Sequence, residues 1–284
     1  MGVWDRLQQE KEQKENRENQ VQEKHKSPVA DTMVSLLFDR VYAQTAELET
    51  MLREGFGAEA HIQVDNSHKT ATHFILQMQG LEFWCSYMPF LLPKAEANIP
   101  ELLKYNRGLS VEEENTLKGQ RSFFLIVQKG GGKALKQKRE VCLLISRLCG
   151  VLMKAEGAIG FLYNHAGILL SKKQYLKHMA VMKREKENAN YFPVMLWVLI
   201  YSSRARDGEL TIETCGLEPF GFSELQFYDP KAEWAKSCER LYFMSLMQIT
   251  GQEHYKDMDV VSFERDSFSV CRQYGETITV MGNI

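Results

Sequence analysis

Residues 122–170 read SFFLIVQKGGGKALKQKREVCLLISRLCGVLMKAEGAIGFLYNHAGILL, and this stretch decides the fold. It opens with aromatic and β-branched residues, which predict a strand that ends at the three glycines 130–132. Between residues 135 and 153 the apolar positions follow helical spacing; they are Val141, Leu144, Ile145, Leu148 and Leu152. Gly157 ends that helix, and residues 158–170 form a hairpin. The stretch therefore predicts a strand, a helix and two further strands.

The same succession occurs earlier in the chain. Residues 33–38 are predicted to form a strand and residues 41–54 a helix that ends at Gly55. Further strands are predicted at 61–65, 72–78 and 81–88. Short turns join these strands, so we expect antiparallel pairing. The repeated order is consistent with a duplicated strand–helix–strand–strand unit.

The rest of the chain continues the alternation of helices and strands. After a basic helix at 172–188, the predicted elements are a hairpin of 193–202 with 209–214, a strand at 225–228, a helix at 231–249, and strands at 260–264 and 268–273. The whole order predicts an α+β fold with antiparallel-rich sheets and helices on one face.

Four segments organise the chain. Residues 1–30 are predicted to be a charged, helix-prone or disordered tail, because residues 5–26 alternate acids and bases without an apolar stripe. Residues 31–108 form a first β/α half, residues 109–120 a linker with three consecutive glutamates, and residues 121–284 a second β/α half.

The tail carries one apolar group, formed by Val3, Trp4 and Leu7, which one helical turn would place on one side. A tryptophan is an effective interface anchor, so we expect Trp4 to dock onto another protein or a second copy of this chain. The alternative is a hydrophobic tip without a role.

Composition excludes several function classes. A net charge of −2 gives no global electrostatic reason to bind nucleic acid. The apolar runs are too short for membrane insertion, and the N-terminus has no apolar signal region, so a cytoplasmic location is expected. The six cysteines include no C-x-x-C pair, which predicts reduced, mostly buried thiols.

The sequence has only weak signals for a catalytic, phosphate-binding or metal site. Residues 129–133 (KGGGK) lack the spacing and hydroxyl of a phosphate-binding loop, and the histidines lack metal-ligand spacing. Cys215 lies beside a turn glycine, but no histidine is near in sequence. The lysines and arginine between 172 and 186 form either a positive patch or a solvated face diluted by Glu185 and Glu187. We therefore predict no catalytic residue, no metal and no cofactor.

Trp84 is a second partner-binding candidate. Residues 82–87 alternate, so Phe83 and Cys85 share one face of a strand and Trp84 lies on the other. Either both faces are core, or Trp84 belongs to an aromatic groove for a partner.

Residues 214–226, TCGLEPFGFSELQ, resemble the T-x-G-L-x-x-F-G-x-x-E-L-E signature of the bacterial domain-of-unknown-function family 4261. The matching residues are Thr214, Gly216, Leu217, Phe220, Gly221 and Glu224, with Trp197 in the preceding strand. Gln226 stands where the family has a second acid, which disfavours a mechanism with paired carboxylates. The resemblance covers about residues 31–273 and implies a fold without implying an activity. The glycines predict turns with positive φ; the alternative is a ligand site.

These observations predict a non-enzymatic protein-binding domain, such as an immunity-type or secretion-adaptor protein that holds a toxin or secretion component. The alternative is an enzyme or small-ligand-binding protein with a cleft between the two halves, lined by Glu224, His165 and Trp197.

Overall fold

The structure is a computed structural model, and residues 31–284 form one compact unit. It describes residues 32–42, 45–57, 63–94, 97–106, 108–129, 134–204, 210–228, 234–256, 259–263, 266–272 and 277–282. The tail residues Val3, Trp4 and Leu7 lie outside the described residues.

Seven antiparallel strands form the first sheet. They are β1 (Thr32–Phe38), β2 (Gln63–Asp65), β3 (His73–Met78), β4 (Leu81–Met88), β5 (Ser122–Gln128), β6 (Ala158–Tyr163) and β7 (Ile168–Ser171). Their order across the sheet is β2-β3-β4-β5-β1-β6-β7. Five helices accompany this part of the chain: α1 (Ala46–Phe56), α2 (Ile99–Tyr105), α3 (Val111–Lys118), α4 (Leu135–Leu152) and α5 (Lys172–Arg184).

Six strands form the second sheet. They are β8 (Leu199–Arg204), β9 (Leu210–Cys215), β10 (Glu224–Tyr228), β11 (Val260–Phe263), β12 (Asp266–Arg272) and β13 (Thr277–Gly282), in the order β11-β12-β13-β10-β9-β8. The pair β10–β13 is parallel, and helix α6 (Trp234–Ile249) lies in the connection between these two strands. The last strand, β13, was not predicted from the sequence. The predicted α+β class with antiparallel-rich sheets is confirmed.

The helices lie on both faces of the first sheet, and not on one face as expected. On β1, Leu36 belongs to the main apolar core with α1 and α4, whereas Leu37 belongs to a second cluster that includes Ile99 of α2 and Leu117 of α3. Both leucines are fully buried. A strand that is covered on both faces has a continuous apolar run, and β1 (TMVSLLF) has one.

The predicted boundary between two halves does not separate two sheets. Strand β1, from the first predicted half, pairs with β5 and β6 from the second. Residues 109–120 lie within the one compact unit of residues 31–284. They contain α3, which begins with a capping box of Ser110 and Glu113. The two strand–helix–strand–strand successions share one sheet but occupy different positions in it. The strand that follows the helix is the edge strand β2 in the first succession and the interior strand β6 in the second.

Candidate functional site

The signature loop between β9 and β10 is organised by one carboxylate. Glu224 Oε1 accepts hydrogen bonds from the backbone N–H groups of Gly216 and Leu217, each at 2.8 Å, and from that of Glu218 at 3.3 Å. Its Oε2 accepts a bond from the Thr214 hydroxyl at 2.7 Å. The carboxylate thus satisfies consecutive backbone donors that the turn leaves without a strand partner.

The two signature glycines have the backbone conformations that the sequence predicted. Gly216 has φ 123° and Gly221 has φ 84°, both in the range that disfavours side chains. At Gly216 a Cβ would also collide with the carbonyl oxygen of Trp197, whereas at Gly221 a Cβ would meet open space. Leu217 and Phe220 are buried in the main core. The signature residues therefore build a turn and its anchors.

Of the three residues that would line the cleft of the alternative function, His165, Trp197 and Glu224, the structure places Trp197 in the main core. The Trp197 side chain is fully buried, and its Nε1 donates to Ser146 Oγ at 3.1 Å. His165 is partly exposed, and its Nε2 lies 4.0 Å from Glu218 Oε2. Trp197 packs edge-on against Tyr163, so it belongs to the core.

Cys215 is a poor nucleophile in this environment. Burial, with the nearby carboxylates of Glu224 and Glu218, raises the pKa of its thiol to about 11. Within the described residues, no group of three histidine, cysteine or acidic side chains could hold a metal ion.

Trp84 lies on the same face of the first sheet as Leu37, and the residue is 41% exposed. Its neighbours on the adjacent strands are Ile75 and Val127. Its Nε1 donates to Glu82 Oε1 at 2.6 Å, and Lys129 Nζ lies 3.5 Å from the ring centroid. The indole is therefore accessible, but its polar edge and one face already have partners in the chain.

A concave surface lies on the face of the first sheet that α1, α4 and α5 cover. Helix α4 packs between α1 and α5, and the three helices enclose a cavity of about 780 Å³ that opens to solvent. We call this surface the α4 groove. The helices approach closely because glycines stand where they meet. A Cβ at Gly150 would lie 2.9 Å from Met179, and one at Gly55 would lie 2.5 Å from Val151.

The α4 groove has an apolar floor. Six apolar side chains from the three helices form it: Phe56, Leu143, Val151, Leu176, Met179 and Met182. Each is buried or partly buried in the described structure, so the floor is continuous with the core. This surface offers apolar side chains to a ligand.

The α4 groove has a basic rim. The basic residues are Arg139, Arg147, Lys154, Lys183 and Lys186, against one carboxylate, Glu185. Glu185 already pairs with Arg184 at 3.0 Å. In the described part of the chain, Arg147, Lys154 and Lys183 have no carboxylate partner. The rim thus concentrates positive charge although the whole chain has a net charge of −2.

Arg139 and its neighbour Lys138 also hold the groove in place. Arg139 donates to the carbonyl oxygens of Thr250 and Ala189 at 3.3 and 3.2 Å, and Lys138 donates to the carbonyl of Pro219. Burial lowers the pKa of both side chains. These two basic side chains therefore attach the start of α4 to the segments that flank the second sheet.

No family model, curated protein or solved structure matches this chain. The likeness of residues 214–226 to the family signature stays a prediction. None of the helices that the structure describes is long and apolar enough to cross a membrane.

Proposed function

We propose that the chain is a non-enzymatic protein-binding domain of the immunity or adaptor type, and that the α4 groove is its docking surface. The observation that carries this proposal is the combination, on one concave face, of an apolar floor and a basic rim in which Arg147, Lys154 and Lys183 have no carboxylate partner among the described residues. Apolar contact supplies affinity, and the charged rim supplies orientation and specificity.

The chemistry of the groove lining favours binding over catalysis. Its side chains include one carboxylate, Glu185, and no serine, cysteine or histidine. The lining therefore offers no Ser–His or Cys–His pair of the kind that activates a hydroxyl or thiol nucleophile. The two methionines in the floor, Met179 and Met182, adapt to irregular partner surfaces because their side chains are unbranched and polarisable.

The proposal is tested by affinity capture with matched variants. Met179→Gln keeps the side-chain length but places a polar group in the floor, whereas Met195→Gln makes the same change at an exposed methionine that does not line the groove. Each variant is used as bait in a lysate of cells that naturally express the chain, after its thermal midpoint has been compared with that of the wild type.

We expect wild type and Met195→Gln to retain the same partner protein, and Met179→Gln to retain about tenfold less of it, since a polar group replaces a buried apolar one. Equal retention by all three baits would refute the α4 groove as the docking surface.

A further inference from the structure

We infer that the occupant of the α4 groove is an acidic amphipathic α-helix of a partner protein, about four turns long. This inference rests on the proposed function and specifies its partner. The shape, apolar spacing and charge distribution of the groove each support it.

The shape of the groove fits a helix. Its lining residues on α4 extend from Arg139 to Val151, which corresponds to about 18 Å along the helix axis, and Lys154 continues the lining just past the end of α4. Helix α5 runs antiparallel beside α4, since Arg139 bonds Ala189 after the end of α5, and Lys172 at its start bonds Ala155. The groove therefore follows α4 and α5 along their length, and a helix of a partner can lie in it.

The apolar floor has the spacing that helix-in-groove recognition uses. On α5, Leu176, Met179 and Met182 repeat every three residues, and on α4, Leu143 and Val151 lie about two turns apart. Anchors at i, i+3, i+4 and i+7 of a docked helix would contact both rows.

The charges favour an acidic partner helix over other anionic ligands. Lys183 lies near one end of the groove, Arg147 near the middle and Lys154 at the other end, and none of the three has a carboxylate partner among the described residues. A fatty acid carries one anion at one end, so it would leave most of these cations unpaired. Single-stranded nucleic acid binds by stacking its bases on rows of aromatic side chains, and the groove lining has only two aromatic residues, Phe56 and Tyr191. A helix with leucines on one face and glutamates beside them matches both features.

The test uses three synthetic peptides of about 15 residues, titrated calorimetrically against the full chain. The first is an acidic amphipathic helix with leucine at helical spacing and glutamate on the flanks. The second is a scrambled peptide of the same composition, and the third replaces every glutamate with lysine. Oleate is titrated in parallel as an anionic amphiphile without a helix.

Two matched variants locate the binding. Lys183→Glu reverses a charge on the groove side of α5, and Lys177→Glu makes the same change at an exposed lysine of α5 that does not line the groove. We expect the acidic helix to bind wild type and Lys177→Glu equally. Its affinity for Lys183→Glu should be at least about tenfold weaker, and the affinity for wild type should fall as salt rises.

Equal affinities for the acidic and scrambled peptides, tight binding of oleate alone, or equal affinities for the two variants would each overturn the inference. Groove-dependent self-association of the chain, measured by sedimentation and abolished in Lys183→Glu, would also overturn it in favour of a second copy. If the peptides fail while capture by the wild type still depends on Met179, the proposed function stands and only the partner assignment is wrong.

Discussion

Replacing Glu224 tests whether the signature loop is structural. Its carboxylate accepts hydrogen bonds from Gly216 and Leu217 at 2.8 Å and from Thr214 at 2.7 Å. A hydrogen bond to a charged group contributes about 1.5–3 kcal/mol, and several bonds to one partly exposed carboxylate are not additive. We therefore expect Glu224→Ala to lower the free energy of unfolding by about 2–4 kcal/mol.

A conservative replacement and a nearby carboxylate provide the controls. Glu224→Gln keeps one acceptor oxygen but loses the charge, so we expect a loss of about 1–2 kcal/mol. Glu218 belongs to the same loop, but its side chain is 72% exposed, so Glu218→Gln should change stability by less than about 0.5 kcal/mol. Urea unfolding of the three variants at one pH gives these differences directly.

The opposite result would point to a ligand site in the loop. If Glu224→Ala unfolds with the free energy of the wild type, within about 0.5 kcal/mol, then the backbone donors of the loop do not depend on the carboxylate. If the same variant also loses its partner protein in the capture experiment, the carboxylate of Glu224 contacts the ligand, and the α4 groove is not the whole docking surface.

Three further predictions follow from single residues or segments. Gly216→Ala should lower the free energy of unfolding by more than about 3 kcal/mol or prevent folding, because Gly216 has φ 123° and its Cβ would collide with the carbonyl oxygen of Trp197. Gly221→Ala should lower it by only about 1–2 kcal/mol, the strain of the left-handed backbone, and urea unfolding of both variants measures the difference. The Cys215 thiol is neutral at pH 8, because its pKa is raised to about 11. Its alkylation should therefore be slow at pH 8 and become about tenfold faster with each pH unit towards pH 11, and a rate that does not change with pH would contradict this. Deleting residues 1–26 should shift the thermal midpoint by at most a few degrees, and collapse of the fold would place Trp4 in the core.

The sequence predicted the elements of the fold better than their arrangement. Strands such as β5 and helices such as α4 are evident in it because apolar runs and helical spacing are local properties. Pairing of β1 with both β5 and β6 is not local, since more than 80 residues separate β1 from β5. The domain boundary at residues 109–120 was predicted from their acidic composition, but strands from before and after this segment pair in one sheet.

The candidate site shows the same limit. The turn geometry at Gly216 and Gly221 was predicted because positive φ has a residue preference. Two other features could not be predicted because they depend on tertiary contacts: Trp197 lies in the core, and the Glu224 carboxylate accepts hydrogen bonds from the loop backbone. No match to the sequence pattern distinguishes a residue that builds a turn from one that binds a ligand in that turn.

The α4 groove was missed for a physical reason that applies to many binding surfaces. Its floor combines side chains of α1, α4 and α5, and strands separate each of these helices from the next along the chain. One local signal was present: on α4, Arg139, Leu143, Arg147 and Val151 recur every four residues, so basic and apolar side chains alternate along one stripe. A helix face that is fully exposed to water usually has no regular apolar residues, and a face that packs entirely against the core usually has no arginines. Alternation of the two along a helix thus indicates a partly covered face, and a partner that is both apolar and acidic would complete the cover.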